Sequence, residues 1–399
     1  MITVGDFKIQ KEEKKVIEEV LKSGRISEGK FVKKFELEFA KKVGTKYCVA
    51  LSSGTSALIA GLLSLIYSGK IKKGTKVITT PVTYIATSNA IVLTGLEPVY
   101  VDIDRDTFGI IPENIENLLK NSKDGEYSLI LPVHLMGYPC DMNAINKIAK
   151  KYGLLVFEDA AQAHNSKYDG KNVGTFSIMA DYSFYIAHNI QVGEMGAIVT
   201  DDKNLAGLVR QIKANGRVCD CLECTRNQGI CPHTPKDEND NDPRFTHNVI
   251  GYNFKTMEFQ AALGLLQLSR LDEIINKRRE NVRKLNEKLK NFSDILKLPV
   301  FDENVSYLAY PIIIKDNKII NRQTLRKKLS ENGIETRPLF GCIPTQQPAY
   351  SFLKEKYKGK LPNAEYIGAN GFYIGCHQYL KDKDINYIGD VFEKILNKG

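Results

Sequence analysis

Short apolar runs alternate with amphipathic stretches over the first 200 residues. The runs are "KVITTP", "EPVYVDID", "YSLILPVHLMG", "LLVFEDAA", "DYSFYIA" and "GAIVT". Runs of this length, separated by helical patterns, are typical of strands in a mainly parallel sheet that helices cover on both faces. The pattern therefore predicts a large α/β fold in this part of the chain.

The pattern changes after Thr200. A helix is followed by a polar, cysteine-rich and acidic stretch over 216–245, which predicts a long surface insertion. A long helix near 256–291 then leads to the strand "YLAYPIIIK", the helix "RQTLRKKLSENG" and the strand "IETRPLF". We therefore predict a large α/β domain over 1–255 that carries the insertion, and a linking helix with a smaller α+β domain over 256–399.

The composition is that of an ordinary globular protein. The chain has 399 residues, of which 43% are hydrophobic and 26% charged, enough for a large core and a second domain. It has no apolar run of 18 residues and no apolar signal region near its start, so we predict a cytoplasmic protein without a membrane segment. The net charge of +9 is spread over helices such as 272–291. That spread argues against nucleic acid as a partner.

Two short motifs suggest a site for an anionic cofactor. The stretch "LSSGTSAL" follows the strand "YCVAL" and opens a helix, so backbone N–H groups of small residues can approach an anion. The stretch "FEDAAQAH" places Glu158 and Asp159 at the carboxyl end of a strand, where ligands bind in open α/β sheets. Taken singly, the first motif is also compatible with an ordinary helix cap and the second with an exposed strand end.

In combination these motifs resemble a known family. The stretches "SGRISEGKFVKKFE", "SSGTSAL", "TYIATSNAI", "EDAAQAH", "GYNFKTMEFQAALGLLQL" and "GIETRP" occur in the order found in the DegT/DnrJ/EryC1/StrS sugar aminotransferases. These are pyridoxal-phosphate (PLP) enzymes with the aspartate aminotransferase fold. The resemblance extends over nearly the whole chain, so it implies that fold and a nucleotide-sugar substrate.

The resemblance implies how the cofactor phosphate is held. The backbone around Gly54 and Thr55 and the hydroxyl of Ser183 would bind it within one subunit. Asn253, in "GYN", would reach a phosphate in the neighbouring subunit. The resemblance therefore also implies a homodimer.

It implies the contacts of the cofactor ring as well. Tyr84 would stack on the pyridine ring, Asp159 would pair with the ring nitrogen, and Gln162 would lie near the phenolic oxygen. The lysine that binds the cofactor covalently in this family belongs at position 188, where this chain has His188. An imidazole cannot form an imine with the cofactor aldehyde, although it can still act as a base.

The substitution at 188 resembles that of the nucleotide-sugar 3-dehydratases, a branch of the same fold. In that branch the cofactor works as pyridoxamine phosphate (PMP), whose amine condenses with the 4-keto group of a 4-keto-6-deoxy sugar. The histidine then removes a proton from the 4′ carbon of the cofactor, and the 3-hydroxyl is expelled. We therefore predict a PMP-dependent 3-dehydratase with His188 as the catalytic base and Asp159 holding the ring protonated as the electron sink.

Four cysteines form a second candidate site. Cys219, Cys221, Cys224 and Cys231 lie within 13 residues of the insertion. In a reducing compartment such a cluster indicates a metal site rather than disulfides. By position it resembles the iron–sulfur ligands of the iron-dependent 3-dehydratases, with Cys224 replacing a ligand that they take from upstream, so we predict a cluster fed by a flavin or ferredoxin-type reductase. Two alternative interpretations of the four cysteines are a zinc site, with His233 as an alternative ligand, and free thiols.

Other features favour different functions. The stretch "NGFYIGCHQYL", with His377 and Gln378, resembles cluster-independent dehydratases that regenerate PMP from glutamate. An aminotransferase that uses another lysine, such as Lys255, is a rival hypothesis. A scaffold whose cysteine loop binds zinc for partner recognition is a rival from a non-enzymatic class.

Overall fold

The computed structural model describes residues 1–219, 245–315 and 317–397. The strands in these ranges, in chain order, are β1 (Tyr47–Leu51), β2 (Lys76–Thr79), β3 (Glu97–Tyr100), β4 (Tyr127–Leu131), β5 (Leu155–Asp159), β6 (Lys167–Tyr168), β7 (Lys171–Asn172), β8 (Met179–Ser183), β9 (Gly196–Thr200), β10 (Leu296–Lys297), β11 (Tyr310–Ile314), β12 (Arg337–Pro338) and β13 (Gly371–Ile374).

The helices of the same ranges separate and cover these strands. They are α1 (Lys11–Lys22), α2 (Lys30–Val43), α3 (Gly54–Tyr67), α4 (Ala86–Leu93), α5 (Pro112–Leu119), α6 (Met142–Tyr152), α7 (Lys203–Lys213), α8 (Glu258–Ser269), α9 (Leu271–Leu289), α10 (Arg322–Glu331), α11 (Lys354–Tyr357), α12 (Pro362–Asn370) and α13 (Asp382–Leu396). Among the described helices, none combines the length and the apolar character that crossing a bilayer would need.

A seven-stranded sheet dominates the described part of the chain, in the order β1-β9-β8-β5-β4-β2-β3. Only β9 runs antiparallel to its neighbours in this sheet, since the pairs β5–β8, β4–β5, β2–β4 and β2–β3 are all parallel. The prediction of a mainly parallel α/β sheet is confirmed. Its parallel strands end at one edge, which is the edge where such sheets bind ligands.

Helix α3 packs unusually close to the centre of this sheet. A Cβ atom on Gly61 would lie 2.7 Å from the ring of Phe157 in β5, so the helix can approach the strand only because residue 61 has no side chain. The N-terminus of α3 is thereby brought to the same edge as the ends of β5 and β8.

The C-terminal part of the chain forms a second sheet. Its order is β10-β11-β13-β12 with every pair antiparallel, and α9, α10 and α13 contribute apolar residues to the core beneath it. This agrees with the predicted α+β character of the region. The domain boundary at 255 stays a prediction.

Two details of the sequence prediction are wrong. The single helix near 256–291 is in fact α8 and α9, because Arg270 leaves helical geometry; its side chain pairs with Glu12 and Glu13 of α1. The strand around "IETRPLF" is reduced to the two residues of β12, whose partner is β13. Local patterns do not reveal such interruptions, because tertiary context overrides local propensity.

Candidate active site

The first component of the site is the N-terminus of α3. Ser53 caps the helix, since its hydroxyl accepts from the backbone N–H of Ser56 at 3.1 Å. The N–H groups of Gly54 and Thr55 belong to the first turn, where no carbonyl of the helix can accept from them. These N–H groups and the positive end of the helix dipole favour an anion at this point.

Ser183 closes the other side of this anion cradle. It is the last residue of β8, and a Cβ atom on Gly54 would lie 2.7 Å from its Cβ and 3.1 Å from its Oγ. The structure thus brings together Gly54, Thr55 and Ser183 at one position, as the resemblance implied. The donors and the lack of a Cβ fit a phosphate group.

This contact predicts the effect of a Gly54→Ala substitution. The added methyl group would push the first turn of α3 away from Ser183, so we expect the dissociation constant for PMP to rise by about tenfold or more, which corresponds to about 1.4 kcal/mol. Gly207→Ala is the matched control, because a Cβ at Gly207 has no heavy atom within 4 Å. Titration calorimetry with PMP gives both constants, and equal affinity in the two variants would contradict this account of the cradle.

Asp159 is the second component and lies at the end of β5. Its side chain is buried and accepts hydrogen bonds from Thr87 Oγ1 at 2.8 Å and from the N–H of Ala161 at 3.2 Å. Burial raises the pKa of Asp159, and the two hydrogen bonds oppose that rise. A cation beside the carboxylate would favour its charged form. The group therefore fits a protonated ring nitrogen.

Glu158, next to Asp159 in β5, has a structural role. Its carboxylate accepts hydrogen bonds from the N–H groups of Gly174 and Phe176 and from the hydroxyl of Ser177, and His134 Nε2 lies 3.0 Å away. Successive residues of a strand point to opposite faces. Only Asp159 of the two predicted strand-end carboxylates is thus free to face the site.

His188 lies in the loop between β8 and β9. Its Nδ1 is 2.9 Å from the carbonyl oxygen of Ser183, and because a carbonyl can only accept, Nδ1 carries the proton. In the neutral ring Nε2 is then the nitrogen with the free lone pair. Burial lowers the pKa of His188 to about 4, although the carbonyl of Ser183 raises it, and the charge of Arg278 lowers it further. The imidazole is therefore a neutral base at pH 7.

The remaining predicted cofactor residues occupy different environments. Tyr84 has 60% of its surface exposed and lies in the turn before α4. It precedes by three residues Thr87, whose hydroxyl donates to Asp159. Gln162 is buried, and its Oε1 accepts from the N–H of Met136 at 3.0 Å. Asn253 is exposed. Its role toward a second subunit stays a prediction.

The segment that carries Asn253 runs beside the anion cradle. Tyr252 and Phe254 donate backbone hydrogen bonds to Ile212 and Lys213, and the carbonyl of Phe254 accepts from the N–H of Ser52 at 2.8 Å. The two ends of the insertion are also joined, because the N–H of Val218 donates to the carbonyl of Thr246 at 2.9 Å. The base of the insertion is therefore close to the start of α3.

The cysteine site can be followed only in part. Cys219 is partly exposed and forms no disulfide, whereas Cys221, Cys224, Cys231 and His233 lie outside the described residues. Within residues 1–219, 245–315 and 317–397 no group of three or more His, Cys, Asp or Glu side chains is arranged to hold a metal ion.

The His377–Gln378 segment contacts the loop of His188. Gln378 Nε2 donates to Gln191 Oε1 at 3.4 Å, and Gln191 Nε2 donates to the carbonyl of Ile186 at 2.6 Å. The structure thus brings the "CHQ" stretch at Gln378 into contact with the loop that carries His188. The two contacting residues, Gln191 and Gln378, are 187 positions apart in the sequence.

Sequence reasoning missed two residues of this site. Thr87 lies in the quoted stretch "TYIATSNAI" but received no role, since only the fold brings it to Asp159. Arg278 looked like one of many basic residues on an amphipathic helix, yet it is completely buried. Nothing in the local pattern of α9 separates it from its exposed neighbours.

The fold and the site together define a protein of the PLP-dependent aminotransferase fold. The chain belongs to the DegT/DnrJ/EryC1/StrS aminotransferase family, whose sequence model matches residues 7–393. This family modifies sugars, and it includes both aminotransferases and dehydratases among the relatives of this chain.

Three similar proteins illustrate that range. GDP-perosamine synthase of Escherichia coli O157:H7 is 35% identical over 379 residues, which cover 94% of this chain and 93% of that protein. GDP-4-keto-6-deoxy-D-mannose 3-dehydratase of Escherichia coli O55:H7 is 30% identical, with 96% of each chain covered. The solved structure of an E. coli GDP-4-keto-6-deoxy-D-mannose-3-dehydratase with bound hydrated PLP has a TM-score of 0.84 at 29% identity, covering 98% of this chain and 99% of that one.

Proposed function

We propose that this protein is a PMP-dependent 3-dehydratase of a nucleotide-activated 4-keto-6-deoxy sugar. The observation that carries the proposal is the state of His188, a neutral imidazole whose Nδ1 is bound to the carbonyl of Ser183 and whose Nε2 is unprotonated. A side chain in this state can remove a proton but cannot tether a cofactor. Family membership and the GDP-sugar enzymes among the relatives support the substrate class.

Different residues of the chain would bind the phosphate and the ring nitrogen of the cofactor. Gly54, Thr55 and Ser183 bind the cofactor phosphate, and Asp159, oriented by Thr87, holds the proton on the ring nitrogen. When bound, PMP supplies an amine that condenses with the 4-keto group and a ring that accepts an electron pair.

The proton transfer itself belongs to His188. Its Nε2 would accept a proton from the 4′ carbon of the bound cofactor, whose chemistry would allow the 3-hydroxyl to leave. Tyr84 would stack on the ring and Gln162 would lie near its phenolic oxygen. The transfer needs a base that is unprotonated at the working pH, as His188 is.

We also propose that the protein acts as a homodimer. Apolar side chains beside the Asn253 segment support this, since Ile250 has 82% of its surface exposed and Tyr252 has 41%. Exposed apolar residues grouped on one segment are typical of an interaction surface. In the dimer Asn253 would contribute to the phosphate site of the partner.

A PLP-dependent aminotransferase is the second candidate, because GDP-perosamine synthase is a relative at 35% identity. That reaction needs a lysine in imine linkage to the cofactor, and Lys255 is the conceivable substitute. The test is borohydride reduction of the PLP-loaded protein followed by mass spectrometry. We expect no pyridoxyl group on any lysine; a stoichiometric adduct on Lys255 would favour the aminotransferase.

The source of the two electrons that complete the deoxygenation distinguishes two versions of the dehydratase. The spacing of Cys219, Cys221, Cys224 and Cys231 supports an iron–sulfur cluster fed by a flavin or ferredoxin-type reductase. The resemblance of "NGFYIGCHQYL" to the cluster-independent dehydratases supports the version in which glutamate regenerates PMP, with zinc as a structural ion. Iron, acid-labile sulfide and zinc contents of protein purified without air decide between them. Stoichiometric zinc without iron would exclude the cluster.

A further inference from the structure

The N-terminal segment, residues 2–8, is held against the C-terminal part of the chain. The N–H of Ile2 donates to the carbonyl of Gly333 at 2.7 Å, and the carbonyl of Ile2 accepts from the N–H of Glu335 at 2.8 Å. The N–H of Val4 donates to the carboxylate of Glu335 at 2.8 Å, and the Val4 side chain is buried in the core of that region. The start of the segment therefore follows a defined path.

The residue after β13 leaves room for the same segment. A Cβ atom on Gly375 would collide with the carbonyl oxygen of Thr3 and lie 3.1 Å from that of Val4, so the segment can run there only because residue 375 has no side chain. Farther along, Nζ of Lys8 lies 4.9 Å from the centre of the Tyr379 ring, within the range of a cation–π contact. The N-terminal segment is thus anchored at both of its ends.

Between these anchors, Gly5 lies directly against the loop that carries His188. A Cβ atom on Gly5 would lie 3.2 Å from Cα of Ala187 and 3.4 Å from its Cβ, which is tighter than an ordinary van der Waals contact. Gly5 does not have the positive φ that would itself favour glycine, so its small size is what the contact uses. Ala187 immediately precedes His188. The segment therefore packs on the backbone next to the proposed base.

The other contacts of this loop hold different atoms. Nδ1 of His188 donates to the carbonyl of Ser183, and the N–H of His188 donates to the carbonyl of Tyr185 at 2.9 Å. Nδ2 of Asn189 donates to the carbonyl of Ser306 at 3.1 Å. These bonds close the turn and fix the residue after His188, whereas the N-terminal segment supports the backbone just before it.

We propose that Gly5 is a positioning residue for His188: because it has no side chain, the anchored N-terminal segment packs on Ala187 and holds the imidazole in its catalytic position. The role in catalysis rests on the proposed function, but the effect on the geometry of His188 does not. A general base must lie within hydrogen-bond reach of the proton that it removes, so support of its backbone bears directly on the rate.

Gly5→Val is the test variant, because valine adds a branched side chain that would have to displace Ala187. We expect exchange of the 4′ hydrogens of PMP in D₂O to slow by about 10²-fold, the effect of misplacing a reacting group by about 1 Å. The dissociation constant for PMP should not change, because the anion cradle at Gly54 is unaltered. Mass spectrometry of the released PMP gives the rate, and titration calorimetry gives the constant.

Two variants serve as control and as graded perturbation. Gly207→Val is the matched control, because a Cβ at Gly207 has no heavy atom within 4 Å, and it should exchange at the wild-type rate. Gly5→Ala adds one methyl group, which Ala187 can accommodate by moving a few tenths of an ångström, so its slowing should be smaller than that of Gly5→Val. If Gly5→Val does not fold, Gly5→Ala replaces it.

The imidazole of His188 reports its geometry without any reaction. Long-range ¹H–¹⁵N spectra of the full-length chain, free of cofactor, detect the proton on Nδ1, and His188→Asn assigns its signal among the six histidines. In Gly5→Val this signal should shift and its proton should exchange faster with water, because the bond to the carbonyl of Ser183 is disturbed. Gly207→Val should leave both unchanged.

A second-site substitution separates the contact from general damage. Ala187→Gly removes the methyl group that lies 3.4 Å from the added Cβ of Gly5→Ala, so it relieves part of the crowding. The slowing in the double variant should therefore be less than the product of the two single effects, as is usual for residues in contact.

Slow exchange with unchanged PMP affinity, together with a shifted His188 signal, supports the role of Gly5. A wild-type His188 signal or a wild-type exchange rate in folded Gly5→Val would overturn it, as would equal effects in Gly207→Val or independent effects in the double variant. The functional proposal can fail separately. If the wild type releases no 3-hydroxyl and the His188 signal still shifts as expected, Gly5 positions His188 in an enzyme of another activity.

Discussion

Replacement of His188 by asparagine should slow the loss of the 3-hydroxyl from the sugar by about 10²–10⁴-fold, the usual contribution of a positioned base. Asparagine can still donate to the carbonyl of Ser183, as Nδ1 of His188 does, so the loop should keep its shape. PMP should still bind, because the cradle of Gly54 and Ser183 is unchanged. The measurement is the single-turnover rate of a PMP-loaded protein with the 4-keto-6-deoxy sugar.

The control for this variant is His247→Asn. His247 makes a similar contact, with its Nδ1 2.9 Å from the carbonyl of Asn215, but it is exposed and outside the site. It should react at the wild-type rate. A normal rate in His188→Asn would show that another group moves the proton.

Asp159→Asn should slow proton removal from the 4′ carbon of PMP by about 10²–10³-fold, the size of effect seen when one electrostatic stabiliser of a reaction is removed. The amide is nearly the same size and can still accept from Thr87, but it carries no charge. The proton on the ring nitrogen is then less favoured, and the ring becomes a weaker electron sink. Exchange of the 4′ hydrogens in D₂O, followed by mass spectrometry of the released PMP, measures the rate.

Asp102→Asn is the matched control for Asp159→Asn. Asp102 is another buried aspartate, and it accepts from the N–H groups of Asn363 and Ala364 instead of facing the site. Its substitution should lower stability without changing exchange in the folded, PMP-loaded fraction. Equal exchange rates in Asp159→Asn and the wild type would remove the argument that the ring is held protonated.

The sequence predicts the parallel part of the fold well for a physical reason. Strands β2, β4 and β5 are covered on both faces, so they appear in the sequence as short apolar runs bounded by turn residues. β13 was missed as a strand, because "GFYI" is too short to distinguish from a buried loop. The break at Arg270 was missed because the apolar periodicity continues from α8 into α9 without a proline or glycine at that position.

Some residues of the candidate site could be proposed from sequence, and others could be recognised only from the structure. Gly54 and Asp159 lie in stretches whose order along the chain carries the family resemblance, and that resemblance also assigns roles to Ser183 and His188, so sequence alone could propose all four residues. The distinction between Glu158 and Asp159 needed the hydrogen bonds of the loop at Gly174. The contact of Thr87 with Asp159 needed the three-dimensional arrangement of residues 72 positions apart, which no local pattern contains.

The central claim is that His188 makes this family member eliminate the 3-hydroxyl instead of exchanging the 4-keto group for an amine. The most direct measurement uses GDP-4-keto-6-deoxymannose labelled with ¹⁸O only at C-3, incubated in a single turnover with the PMP-loaded protein. We expect the label to be released into water, so that the sugar product lacks it in the mass spectrum. A 4-amino sugar that retains the label at C-3 would contradict the account and identify an aminotransferase.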